Sequence, residues 1–175
     1  MKTTLLLFTA LLLNACGPSS DPSAASTPIA DPAIQSVFGT VSTETPALPI
    51  PTARAEKQPG ETVVLEGRIM GVMEPFVENR AVFVLGDNSV ITPCSDMATD
   101  HCATPWDACC DPTETRTDGT ASIQIVNEQG QVLKQGLEGV NGLAKLTSVK
   151  VSGTVNAASS PKSLIVNATT IEVMP

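Results

Sequence analysis

The chain has 175 residues, 42% of them hydrophobic but only 3% aromatic, and a formal net charge of −8 from 10 basic and 18 acidic residues. Phosphate backbones attract the opposite sign and single-strand readers need exposed aromatic platforms, so nucleic acid is excluded as a partner. One histidine, five cysteines and no tyrosine leave few side chains able to carry chemistry. In chain order, Lys2 gives a short basic start and is followed by an apolar run, LLLFTALLL (5–13). That run is about half the length a bilayer-spanning helix needs, so it reads as the apolar region of an export signal over residues 1–15.

The run LLNAC that closes this segment resembles the lipobox of bacterial lipoproteins. The resemblance implies cleavage before Cys16, a lipid on its sulfur, and anchoring to the cell envelope. Gly17 stands where an aspartate would signal inner-membrane retention, which favours the outer membrane. Export also implies an oxidising compartment for the remaining cysteines.

Residues 16–60 are expected to form the lipidated cysteine and a disordered Pro/Ser/Thr-rich tether. Residues 17–60 hold eight of the fourteen prolines and show no hydrophobic periodicity, too little apolar surface to offset chain entropy. The patch IQSVFGTV (34–41) is the exception, as a strand, a short helix or a transient cluster.

Residues 61–175 have the length of one domain with a modest core. With so few aromatics the core must be built from Val, Ile, Leu and Ala, and β-branched residues favour sheet. Five strands are predicted. In TVVLEGRIM (62–70), Val63, Leu65 and Ile69 share a face; AVFVLGD (81–87) is apolar on both faces; ASIQIVN (121–127) turns Ile123 and Ile125 inward. SVKVSGTVN (148–156) turns Val149, Val151 and Val155 inward. SLIVNATTIEV (163–173) starts on Leu164, Val166 and Ala168, then changes phase to Ile171 and Val173. Such a shift requires a bulge near Thr169–Thr170. Gly67 and Gly153 occupy equivalent mid-strand positions, where glycine permits the sharp coiling of a small barrel. Between the third and fourth strands GLEGVNGLAKL (136–146) offers Leu137, Val140, Leu143 and Leu146 as a plug for the barrel's open end.

This order, with VLEGRI, AVFVLGD and VKVSGTV…LIVNATTIEV carrying the pattern, resembles the OB-fold, a five-stranded Greek-key barrel. The fold class expected is therefore all-β: an OB-like barrel over 61–175 behind a disordered tether. More narrowly, the mature chain resembles a set of uncharacterised bacterial lipoproteins that carry TPWD and paired cysteines inserted into such a barrel. The resemblance implies export and architecture without an assigned activity.

The cysteine-rich acidic insert, residues 88–120, falls between the second and third strands, at the tip of a hairpin. Loops of that length need something to tie them down. Two disulfides among Cys94, Cys102, Cys109 and Cys110 are the expected tie, with Cys94 and Cys102 each reaching one of the adjacent pair. Trp106 would pack over them as a miniature core. The alternative is a zinc or copper site drawn from Cys94, His101, Cys102, Cys109 and Cys110, with Met70, Met73 and Met97 as thioether donors. The spacing C-x7-C-x6-C-C lacks the C-x2-C knuckle of zinc sites. No C-x-x-C stands at a helix start to lower a thiol pKa, and no Ser–His–Asp set or phosphate loop exists, so no enzyme is expected. The function expected is a membrane-anchored binding module for an envelope protein or polysaccharide, needing no cofactor, with Trp106, Asp107 and Phe76 as its contact surface.

Overall fold

A computed structural model describes residues 30–98 and 101–175. Five strands form: β1 (Thr62–Ile69), β2 (Val82–Gly86), β3 (Thr120–Gln124), β4 (Ser148–Val155) and β5 (Leu164–Val173). They close into a barrel in the order β1-β2-β3-β5-β4, with β4 returning to β1. Every pairing is antiparallel except β3 with β5, which is parallel. Among the described residues three short helices accompany them: α1 (Pro32–Gln35), α2 (Ile50–Glu56) and α3 (Thr113–Asp118). Among the described residues no helix is long and apolar enough to cross a membrane. The expected signal segment, 1–15, and Cys16 lie outside the described residues.

The barrel forms where alternation is clean. Along β4 Val149, Val151 and Val155 point into the core while Lys150, Ser152 and Thr154 are half-exposed. Phe83, Leu85 and Ile123 enter from β2 and β3, and Leu164, Val166 and Ile171 from β5. The phase change in β5 is a bulge: Gly153 pairs with Ala168 but Ser152 pairs with Thr170, leaving Thr169 the extra residue, exposed. Leu137, Val140 and Leu143 join the core around a 3₁₀ turn at Val140–Gly142, as a plug requires. Leu146 does not. It packs with Val90 against a second, smaller cluster of Met70, Ile91 and Ala108.

The two mid-strand glycines serve close approach between strands. A Cβ on Gly67 would run into the Gly86 carbonyl, and one on Gly153 into the Asn167 carbonyl and, at 2.7 Å, a methyl of Val166.

The expected tether is corrected for residues 30–60, which pack on the barrel. Ile34, Ile50 and Ala53 are fully buried members of the main core, and Val37, Phe38 and Leu48 pack against it. The segment attaches at single points: Phe38 bridges Ile171, and Leu48 bridges Leu65. Isolated anchors of this kind leave no periodicity in the sequence. Prolines in the first turn start both helices, Pro32 in α1 and Pro51 in α2, where a missing N–H costs nothing.

Asp87 locks this arm to the barrel. It is buried, and its Oδ2 accepts from the Ile50 N–H at 2.9 Å while Oδ1 accepts from the Ser89 N–H and hydroxyl. Its own N–H donates to the Gly119 carbonyl at 2.8 Å, so one residue joins α2 to both ends of the β2–β3 connection. Asp87→Ala strands the Ile50 donor, and the expected loss is about 3 kcal/mol of unfolding free energy, read from urea denaturation. Asp87→Asn, which keeps an acceptor, is expected to lose clearly less.

Candidate metal centre

Residues 87–119 separate β2 from β3 and carry all four cysteines of the described chain. The segment is not featureless: a 3₁₀ turn at Cys94–Asp96 and helix α3 form within it. Backbone bonds fold it onto itself, Cys94 N–H to Asp107 O at 2.7 Å and Ser95 N–H to Pro105 O at 2.8 Å. This pairing brings the 94 stretch alongside the 105–109 stretch. Arg68 on β1 then holds the 3₁₀ turn through an ion pair to Asp96 at 2.8 Å.

Three sulfurs converge as a result. Cys94 Sγ lies 3.5 Å from Cys109 Sγ, and Cys102 Sγ lies 3.9 Å from Cys109 Sγ. The ligand atoms of Cys94, Cys102 and Cys109 all fall within 4.8 Å of one another. A disulfide would need about 2.05 Å. Thiolates sharing a zinc ion at about 2.3 Å stand about 3.8 Å apart around a tetrahedron. The two sulfur–sulfur spacings bracket that value. Cys94 is buried, Cys102 half-buried and Cys109 exposed, so the cluster is anchored at one end and open at the other.

The thiols differ in acidity. Cys102 is held below the ordinary thiol value, chiefly by its hydrogen bond with the Thr104 hydroxyl at 3.3 Å, then by a backbone bond at Thr104. Cys109 is held above it. Its bond with Cys94 pulls down, but the bond with Cys102, desolvation and repulsion from Cys102 and Cys110 together prevail. Cys102 is therefore the readier thiolate.

The other sequence candidates fall elsewhere. Cys110 and His101 are exposed and lie outside the three-sulfur group. Met70 is buried in the second core, Met97 is half-buried, and Met73 is 63% exposed. Thr99 and Asp100 are outside the described residues. Trp106 is half-buried. Its indole N–H donates to the Met73 carbonyl at 2.8 Å, and Lys145 sits 4.1 Å over its ring. The small core of the segment is built by Ile91 and Ala108 on Met70 instead. Phe76 and Asp107, expected on a contact surface, are buried at 8% and 5% exposure. Phe76 meets Phe83 with ring centroids 6.3 Å apart, and Asp107 Oδ1 accepts from the Ala108 N–H, so both are structural. Thr104 and Arg68 were not singled out from sequence. For Thr104 the signal was its position two residues after Cys102, within reach of a local hydroxyl–sulfur bond. Arg68 reaches Asp96 only through the fold.

Comparison with protein-family models, with curated proteins and with solved structures found no match to this chain.

Proposed function

We propose that the chain is an exported, lipid-anchored envelope protein whose OB-like barrel presents a thiolate site for a soft metal ion, zinc or copper(I). The convergence of the Cys94, Cys102 and Cys109 sulfurs at spacings suited to a shared ion carries this reading. Thiolates are the donors that select such ions over magnesium or calcium. The closed order β1-β2-β3-β5-β4, with a parallel β3–β5 pair, supports an OB-like Greek key. In that frame the cysteine segment is an insert in the β2–β3 hairpin. The lipobox-like LLNAC run supports an anchor at Cys16. The ion would bind in the β2–β3 connection, on a protein held to the envelope through Cys16.

The second reading is the stapled module, a partner-binding surface stiffened by disulfides. The 3.5 Å approach of Cys94 to Cys109 favours it, because an oxidant such as a disulfide donor of an oxidising compartment, taking two electrons and two protons from the pair, would need to draw the sulfurs together by only about 1.5 Å. Cobalt(II) titration of the reduced chain separates the two. The metal reading expects a thiolate-to-metal charge-transfer band that saturates at one equivalent and disappears when zinc is added. If no band forms, and air oxidation removes the free thiols without loss of fold, the staple takes its place.

A further inference from the structure

Three donors, not four, converge in the cysteine segment. The sulfurs of Cys94, Cys102 and Cys109 lie within 4.8 Å of one another, and among the described residues no imidazole, carboxylate or fourth thiol joins the group. Cys110 follows Cys109 in the chain and His101 precedes Cys102, yet both are exposed and stand outside it.

Coordination number separates the two candidate ions. Structural zinc sites close with four protein ligands. Zinc sites with three protein ligands and a water draw on histidine, which keeps the ion electrophilic, whereas three anionic sulfurs would quench it. Copper(I) is softer and singly charged, and three thiolates in a plane satisfy it. Sulfurs about 2.3 Å from a planar three-coordinate ion stand about 4.0 Å apart, against about 3.8 Å around a tetrahedron. The observed 3.5 and 3.9 Å lie close to both values, so the number of donors decides.

The three ligands are not equally held. Cys94 is buried, and its N–H is fixed on the Asp107 carbonyl at 2.7 Å. Cys102 is half-buried with the Thr104 hydroxyl 3.3 Å from its sulfur, and as a thiolate it accepts that hydroxyl's proton in a hydrogen bond. Cys109 is exposed. An ion among them is gripped from the Cys94 side and approachable from the Cys109 side.

We infer, resting on the thiolate reading above, that the cluster is a three-coordinate copper(I) site and that its ion is cargo, passed on through the Cys109 face. In the first exchange a donor atom of the acceptor bonds to copper as the copper–Cys109 bond breaks. Copper stays copper(I), Cys109 takes a proton from solvent, and no oxidant or reductant takes part.

The test loads the reduced full chain, without oxygen, with one equivalent of copper(I) supplied as its acetonitrile complex. X-ray absorption at the copper edge is expected to show three sulfur neighbours and no nitrogen or oxygen. Zinc in about 100-fold excess should leave the copper in place, and Cys110→Ser should bind it within about twofold of the parent affinity. Withdrawal by bicinchoninate should proceed at a rate proportional to chelator concentration, as attack at an open face requires. Two sulfur neighbours, a fourth ligand, displacement by zinc, or a loss of about tenfold in Cys110→Ser overturns the three-coordinate copper site while the thiolate reading stands. A withdrawal rate independent of chelator overturns the transfer role. Failure to bind copper(I), zinc or cobalt(II) overturns the inference and the thiolate reading together.

Discussion

Cys109→Ser is expected to abolish stoichiometric binding of zinc or copper(I), with affinity falling about 100-fold or more. Cys109 is the sulfur that the other two face, at 3.5 Å from Cys94 and 3.9 Å from Cys102. Removing it leaves two thiolates and a hydroxyl that does not ionise at neutral pH. Cys110→Ser is the control, because that thiol is exposed and outside the three-sulfur group. It should retain one equivalent of metal and near-parental affinity. Competition against a chromophoric chelator measures both variants. A second consequence follows from linkage: bound metal raises the melting temperature of the parent in proportion to the logarithm of free metal over Kd, and that rise should vanish in Cys109→Ser. If instead the serine variants at 109 and 110 bind metal equally, the three converging sulfurs are not the site.

Gly67→Ala is expected to cost more than about 3 kcal/mol, enough to leave much of a small domain unfolded at room temperature. The added Cβ would fall on the Gly86 carbonyl, 3.1 Å from its carbon and 3.3 Å from a Leu85 methyl. The carbonyl is backbone and cannot turn aside, and Leu85 is fully buried. The Gly86 backbone is fixed by its register with Arg68 on one side and Thr120 on the other. Relief therefore means opening the β1–β2 seam, where the described pairing is Arg68 with Gly86 and Ile69 with Leu85. Gly153→Ala should behave alike against Asn167 on β5. Gly39→Ala is the contrast, since its Cβ would meet nothing nearer than a Thr170 methyl at 3.9 Å, and its effect should be within about 0.5 kcal/mol. Urea denaturation of the three variants orders them.

Those glycines also mark how far the sequence reaches. Four strands were legible because their apolar residues alternate and the second because its apolar run is unbroken, and the β5 bulge was legible because Ala168 and Ile171 cannot share a face without one extra residue. That Gly67 and Gly153 stand mid-strand was visible, but the carbonyls they make room for are not neighbours in the chain. The arm from residue 30 to 60, apart from the apolar patch at 34–41, escaped for a different reason. Ile34, Phe38, Leu48 and Ile50 each fill a separate seat, so no window of sequence shows a repeat. Composition counted the prolines as loosening when two of them begin helices.

At the cysteine cluster the residue types were legible and the selection among them was not. Cys109 and Cys110 are equivalent by composition; the pairing of the 94 stretch with the 105–109 stretch decides which of them faces Cys94. Asp107 reads as a surface acid in an acidic loop, yet its bond to the Ala108 N–H lets it stay buried. Trp106 reads as a core residue, yet its indole N–H is spent on the loop after β1, and its ring lies under Lys145. Short-range chemistry, not hydrophobicity, set each of these positions.

The most direct measurement is intact mass and elemental content of the mature protein, recovered from its own membrane fraction with thiols blocked at lysis. A thiolate metal centre predicts one equivalent of zinc or copper per chain and alkylation of every cysteine in the segment once the metal is stripped. Metal-free protein that resists alkylation, its mass short by two hydrogens for each bond formed, would contradict it.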